Sequence, residues 1–257
     1  MRGVKSRWIV GCFAFVLAGA AGLPWAGAKG NEPTIKTKLP SHWQPRTKMK
    51  CRYVAGSKWK MCDGPRRTPE PYGSEALKAE ELGLGTLDVG RKLLREPPRS
   101  AWVAAVKGRA SSSLLWPVER GSFGRGFGYV RKERRSLRHN GIDAGAPVGE
   151  LVRSLNDGIV AYSDNQISGF GNAVVVIHKD ASVSFYCHQR ANYVFAGQQV
   201  KRGQVVGEVG VTGISRGPHL HFEWHVNGSA RDPMKRMVGV PGRSSRDELA
   251  ALAPLHL

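Results

Sequence analysis

Gly217-Pro218-His219-Leu220-His221-Phe222-Glu223 is the stretch from which the rest of the chain is read. Residues two apart on a strand share a face, so His219 and His221 point one way and Leu220 and Phe222 the other. Two imidazoles backed by apolar residues fit a metal or catalytic site carried on a rigid element. One such pair is weak alone, because surface strands carry paired histidines by chance. The remaining partners must come from elsewhere in the chain.

Working upstream, short β-rich runs separated by glycines fill the chain from about Ser111 to Pro233. They are Gly158–Tyr162, Ala173–His178, Val183–His188, Val205–Val209 and Leu220–Val226. Five or more strands at this spacing, with no long helix between them, predict a mainly β fold: an antiparallel sheet, sandwich or barrel.

Farther upstream lies His139-Asn140-Gly141-Ile142-Asp143-Ala144-Gly145-Ala146-Pro147. Gly141, Gly145 and Pro147 argue against a helix. On a straight strand four residues span about 13 Å, too far for His139 and Asp143 to hold one ion. The chain must bend between them, and Gly141 permits it most easily. His139, Asp143 and one of His219 or His221 then supply three N/O donors. That count suits a catalytic zinc site with a fourth position open to water. Two histidines and a carboxylate also suit non-haem iron, and the choice between the two metals rests on the export signal and the resemblance described below.

Of the other histidines, His188 ends a strand and is a candidate to face substrate or support the site. His178 closes an apolar strand and reads as structural. His225 shares the parity of His219 and His221 but lies four beyond the latter, and reads as a surface residue. His42 and His256 carry no signal.

The chain of 257 residues has a formal charge of +19 and a pI near 10.3, so its partner is expected to be anionic. Arg2, Lys5 and Arg7, an apolar run from Trp8 to Leu23 and Ala26-Gly27-Ala28 describe a secretory signal peptide over residues 1–28. Cys12 comes too early in that run for a lipoprotein cleavage site. Export to the periplasm, envelope or extracellular space replaces nucleic acid with an anionic envelope polymer as the expected partner. It leaves no stable membrane span once the signal is removed.

Residues 29–110 are basic and Pro-rich, and are expected to be poorly ordered apart from a short helix. Cys51 and Cys62, with ten residues between them, are expected to pair in an oxidising compartment, leaving Cys187 as a buried free thiol. Glu75–Glu96 has helical composition interrupted by Gly83, Gly85 and Gly90. It predicts one broken or two short helices ending before Pro97-Pro98. Trp102–Val106 adds a turn or short strand. The catalytic domain is set at 111–236, followed by a tail at 237–257 with a helical pattern over 246–252. The run Arg131, Lys132, Arg134, Arg135 and Arg138, just before His139, reads as a solvated loop.

From about Trp116 to Pro233 the chain resembles the lysostaphin/LytM-type zinc metalloendopeptidases, metallopeptidase family twenty-three. The matching pieces occur in the family's order. They include Trp116-Pro117-Val118, Phe127-Gly128, His139-x-x-x-Asp143, Asp157-Gly158, Gly171-Asn172 and Tyr186-x-His188. Gly203 to Gly207, Gly210 to Gly213 and the opening stretch Gly217 to Glu223 complete the set. The resemblance implies a LytM-like catalytic domain with one zinc ion held by His139, Asp143 and His221. It makes His219 and His188 the catalytic pair, as base and oxyanion stabiliser in either order, and peptidoglycan peptide bonds the substrate. It leaves residues 29–110 unexplained.

Some positions depart from the family pattern. Cys187 stands where glycine is usual, Gln189 where leucine is common, and the basic run before His139 is long enough to line a groove wall. A non-catalytic family member that binds wall or activates an amidase is the alternative, although all five site positions are present. The phrase Gly197–Gly207 also resembles half of a lipoyl or biotinyl carrier motif, but such a carrier needs a lysine at a hairpin tip and would not be exported.

Overall fold

The computed structural model describes residues 50–53, 60–63, 68–131 and 134–243. The expected signal peptide and the helical pattern at 246–252 lie outside these residues. All described residues belong to one compact unit, 46–257. Among them no helix is long and apolar enough to cross a membrane.

The fold is mainly β. The strands in order are β1 Lys50–Tyr53, β2 Lys60–Asp63, β3 Leu114–Leu115, β4 Ser122–Phe123, β5 Val130–Arg131, β6 Arg134–Arg138 and β7 Ile142–Gly145. They continue with β8 Leu151–Arg153, β9 Gly158–Asp164, β10 Asn172–His178, β11 Val183–Asn192, β12 Gln199–Val200 and β13 Val205–Val209. The last are β14 Gly213–Ile214, β15 His219–Val226, β16 Ser229–Arg231 and β17 Met237–Val238. The main sheet is antiparallel and runs β12-β9-β10-β11-β15-β7-β4, with β13, β8 and β16 attached beside that path.

Strand β15 is the organising element. Its register sets His221 opposite Asp143 of β7 on one side and opposite Cys187 of β11 on the other. Its even residues Leu220, Phe222 and Trp224 enter one apolar cluster with Trp116, Ile142 and Tyr186. The other face of the sheet is covered by α1 Gly73–Leu82, α2 Leu87–Lys92 and α3 Ser100–Ala104. Leu84, Val89, Leu93 and Trp102 pack there against Tyr162, Val175 and Phe185.

Two short helices thus replace the interrupted pattern at 75–96. Gly83 ends α1 in the left-handed region at φ 65°, where its N–H meets the carbonyls of Ala79 and Glu80. Thr86 then caps α2 by accepting from Val89 N–H at 3.3 Å. The turn or strand expected at Trp102–Val106 is instead helix α3, with Trp102 buried and its indole N–H donating to Leu82 O at 2.9 Å. The apolar packing is continuous across the expected boundary at 111, because burying these helices requires the sheet face. The β1–β2 hairpin sets Cys51 opposite Cys62 and adds β2 to β14; the disulfide expected there rests on side chains outside those described.

Gly141 is needed for a reason other than bending. A Cβ on it would lie 2.1 Å from Phe222 O, so only glycine lets the segment entering β7 approach β15 this closely. Gly141→Ala is expected to destabilise the fold by ~1–3 kcal/mol as backbone is pushed apart. It should also weaken metal binding by displacing Asp143. Urea unfolding and zinc titration check both, and an unchanged midpoint with unchanged zinc affinity would contradict the argument.

Candidate metal and catalytic site

His139, Asp143 and His221 come together, each offering one donor atom within 4.8 Å of the others. His139 Nε2 lies 3.1 Å from Asp143 Oδ1 and 3.0 Å from His221 Nδ1, and His221 Nδ1 lies 3.0 Å from Asp143 Oδ1. Zinc bonds of ~2.0–2.1 Å would separate tetrahedral donors by about 3.3–3.4 Å, so the triangle needs little adjustment.

The outer hydrogen bonds decide which ring atoms are available. His139 Nδ1–H donates to Gly126 O at 2.9 Å, which turns the Nε2 lone pair inward. His221 Nε2–H donates to Glu223 Oε1 at 2.9 Å, which turns Nδ1 inward. Two imidazole lone pairs and a carboxylate oxygen then converge with no proton between them, an arrangement that repels itself unless a cation enters. The donor set therefore fits a zinc ion.

Without a metal, a proton takes that role. Burial lowers the basicity of His221, but hydrogen bonds and charges from Asp143 and Glu223 outweigh it and raise the pKa to about 9. The carboxylates move oppositely. Burial raises the pKa of each, yet its histidine partners hold Asp143 well below the usual carboxylate range and push Glu223 down to about 2.

His219 and His188 stand beside the donor triangle, their ring centroids 4.9 Å apart. His219 Nδ1–H donates to Gly217 O, and His188 Nδ1–H to Thr212 O, both at 2.8 Å. Each ring thus keeps an Nε2 lone pair. Burial lowers both pKa values, that of His188 well below the ordinary value, and the nearby histidines lower it further. His219 is less depressed, because Asp143 Oδ1 lies 3.6 Å from its Nε2. His188 has φ 65°, a left-handed backbone that is rare without glycine and typical of constrained functional positions.

All five residues line one cleft of about 360 Å³. Phe170 and Ile214 contribute apolar lining to it, and Arg125, Tyr129 and Arg138 basic and aromatic lining. Short backbone bonds fix the latter: Asp143 N–H donates to Arg125 O at 2.8 Å and His139 N–H to Tyr129 O at 3.0 Å.

Among the surrounding residues, some differ from the sequence expectation and others agree with it. His225 is buried, not on the surface: its Nε2–H donates to Glu223 Oε2 at 2.7 Å and its ring lies 4.8 Å from Phe185. The face of β15 that is open at His219 and His221 is covered at His225. Glu223, shared between His221 and His225, and Arg125, ion-paired with Asp143, were not selected from sequence. Strand parity could have signalled Glu223; Arg125 had no such signal. Cys187 is fully buried, and burial followed by the charge of Glu223 raises its thiol pKa, which leaves it inert. His178 is structural: its Nδ1–H donates to Asp157 O at 2.9 Å, and Nε2 meets Ser184 Oγ at 2.8 Å.

Residues 137–233 match Peptidase family M23. The cell division protein DipM of Caulobacter vibrioides is 37% identical over 139 residues, which is 54% of this chain and 22% of that protein. The DD-carboxypeptidase/endopeptidase Mpg of Neisseria meningitidis is 37% identical over 115 residues, 45% of this chain and 26% of its own length. A solved zinc-containing peptidase from Vibrio cholerae is 34% identical, with a TM-score of 0.45 over 48% of this chain and 39% of that one. The matches span about a quarter of the two curated relatives.

A zinc ion held by this donor group would compete with a proton for His221 Nδ1. The folded pKa of about 9 exceeds the ordinary 6.5. Protonation therefore stabilises the metal-free fold fully below 6.5, and this contribution is lost as pH rises through 9. Zinc uptake at pH 7 should release about one proton per ion, falling away above pH 9. Calorimetry in buffers of different ionisation enthalpy reads this directly; no buffer dependence at pH 7 would refute it.

Proposed function

With a Peptidase family M23 domain over residues 137–233, this chain is, we propose, an exported zinc-dependent endopeptidase that cleaves peptide bonds in peptidoglycan. The supporting observation is the convergence of three metal donors with two neutral histidines, each presenting Nε2 to one cleft. The basic charge and the signal-like start of the sequence support an anionic envelope substrate.

His139 Nε2, Asp143 Oδ1 and His221 Nδ1 hold the single zinc ion in this reading. When bound, zinc lowers the pKa of a coordinated water toward ~7 and polarises a carbonyl. Glu223 holds the His221 ring in the tautomer that leaves Nδ1 free.

His219 is the base. Its Nε2 lone pair faces the cleft, and Asp143 stabilises the imidazolium formed when it takes a proton from the attacking water. That same proton is then available to the leaving amine. His188 is the less basic ring. It can donate to the developing oxyanion only with a proton on Nε2, which the bond from Nδ1–H to Thr212 O makes a second proton. The attacking water releases the one proton available, so His188 can carry it to the oxyanion only if it exchanges roles with His219. Beside His219 as base, its neutral ring orients the water by accepting a hydrogen bond at Nε2. Residues 111–236 form the catalytic domain in this reading, with the helices at 73–104 as its outer layer.

Digestion of purified peptidoglycan by the chain, with and without a zinc chelator, tests the reading. Mass spectrometry of released muropeptides should show chelator-sensitive loss of cross-linked dimers. Stoichiometric zinc without any release would favour a non-catalytic wall-binding or amidase-activating role. His219→Ala should keep zinc and lose at least about 100-fold in rate, the lower range of general-base catalysis. His221→Ala should lose both zinc and activity. More than about a tenth of the wild-type rate in the His219 variant would reject its role as base.

A further inference from the structure

The basic wall of the cleft has no role in the chemistry above. Arg125 and Arg138 both line it, together with the zinc donors. The carboxylates that line the same cleft, Asp143 and Glu223, are already held by histidines. Arg125 Nη2 is ion-paired at 2.5 Å with Asp143 Oδ2, the oxygen turned away from the histidines, so only the remaining N–H donors of Arg125 can serve a ligand. Among the described residues, no acidic group pairs with Arg138. The two arginines offset the two carboxylates, so a dication bound among the donors leaves the cleft positive.

Resting on the endopeptidase reading, we infer that Arg125 and Arg138 form a subsite for a free carboxylate next to the scissile amide. A planar guanidinium presents paired N–H donors that match a carboxylate, and a partly enclosed cleft strengthens the contact over one in bulk water. Arg125 is fixed in place, since its carbonyl accepts the backbone N–H of Asp143. Arg138 immediately precedes His139, and Val130 is its partner across the β5–β6 hairpin. Both cations are therefore tied to the segments that carry the zinc donors.

The subsite selects among wall cross-links by chemistry. A D-alanyl–diaminopimelate link carries a free carboxylate on the carbon bonded to the leaving nitrogen. An amide inside a glycine bridge carries none. The arginine wall favours the first class and gives the second nothing to bind.

The test uses two synthetic cross-linked stem peptides in which a ketomethylene replaces the scissile amide, so that neither turns over. They differ only in whether the neighbouring carboxylate is free or a primary amide. Calorimetry with the zinc-loaded full chain should show the free acid binding about 10- to 100-fold more tightly. Arg138→Gln should remove most of the free acid's advantage without changing the amide's own affinity or the zinc content. Arg138→Lys should restore part of the preference. Arg125→Gln should act in the same direction, with zinc content measured alongside because Arg125 touches Asp143.

Equal wild-type affinity for the two peptides, binding of neither, or an equal loss on both in Arg138→Gln would overturn the subsite. Selective binding without any cleavage of peptidoglycan would instead leave the subsite standing and remove the endopeptidase reading.

Discussion

The register of β15 between β7 and β11 is the constraint on which the rest of the molecule depends. With His221 opposite Asp143 and Cys187, His219, His221 and Glu223 reach the cleft and the strand's even residues Leu220, Phe222 and Trp224 fill the core. A slip of one residue would bury His219 and His221 among Trp116, Ile142 and Tyr186, and turn Leu220 and Phe222 to the cleft. The apolar set on β15 thus locates the histidines before any polar contact is made. Gly141 reinforces the register, because a side chain there would collide with the backbone of β15.

Local hydrogen bonds then refine what the register provides. Every ring in the site except that of His221 uses Nδ1–H on a backbone carbonyl: His139 on Gly126, His188 on Thr212 and His219 on Gly217. His221 uses Nε2–H on Glu223 and so presents the opposite nitrogen. The main chain, which does not titrate, sets three tautomers, and a buried carboxylate sets the fourth. Glu223 is steadied in turn by His225, so the innermost ligand is held by two further side chains from its own strand.

Much of this arrangement was legible in the sequence. The five β-rich runs coincide with β9, β10, β11, β13 and β15, because alternating apolar residues and bounding glycines mark strands directly. Chain-length arithmetic showed only that His139 and Asp143 need a bend between them to meet, and the family resemblance named them as partners. What covers a face could not be read from strand parity. His225 has the parity of an exposed residue, yet the same face of the sheet carries the helical layer farther along. Trp102 likewise reads as part of a turn until the groove that receives α3 is known. Arg125 reaches Asp143 only through the fold that pairs their backbones, across a separation that no local pattern spans.

The charge of the molecule acquires a more specific meaning at the cleft. A net charge of +19 attracts any polyanion, but diffuse attraction is screened within about 8 Å at physiological salt and does not choose between bonds. Guanidinium groups in a cleft of about 360 Å³ that is also lined by the candidate metal donors would act on a ligand there at contact distance. Their effect on a neighbouring carboxylate depends on hydrogen-bond geometry as well as field. Surface charge can gather the chain onto an anionic wall, whereas selection of one cross-link requires cations whose positions are tied to the reacting groups. The backbone bonds from Asp143 to Arg125 and from His139 to Tyr129 tie this wall to the ligands. A shift of either ligand would therefore move metal site and carboxylate subsite together, coupling chemistry to recognition within one rigid element.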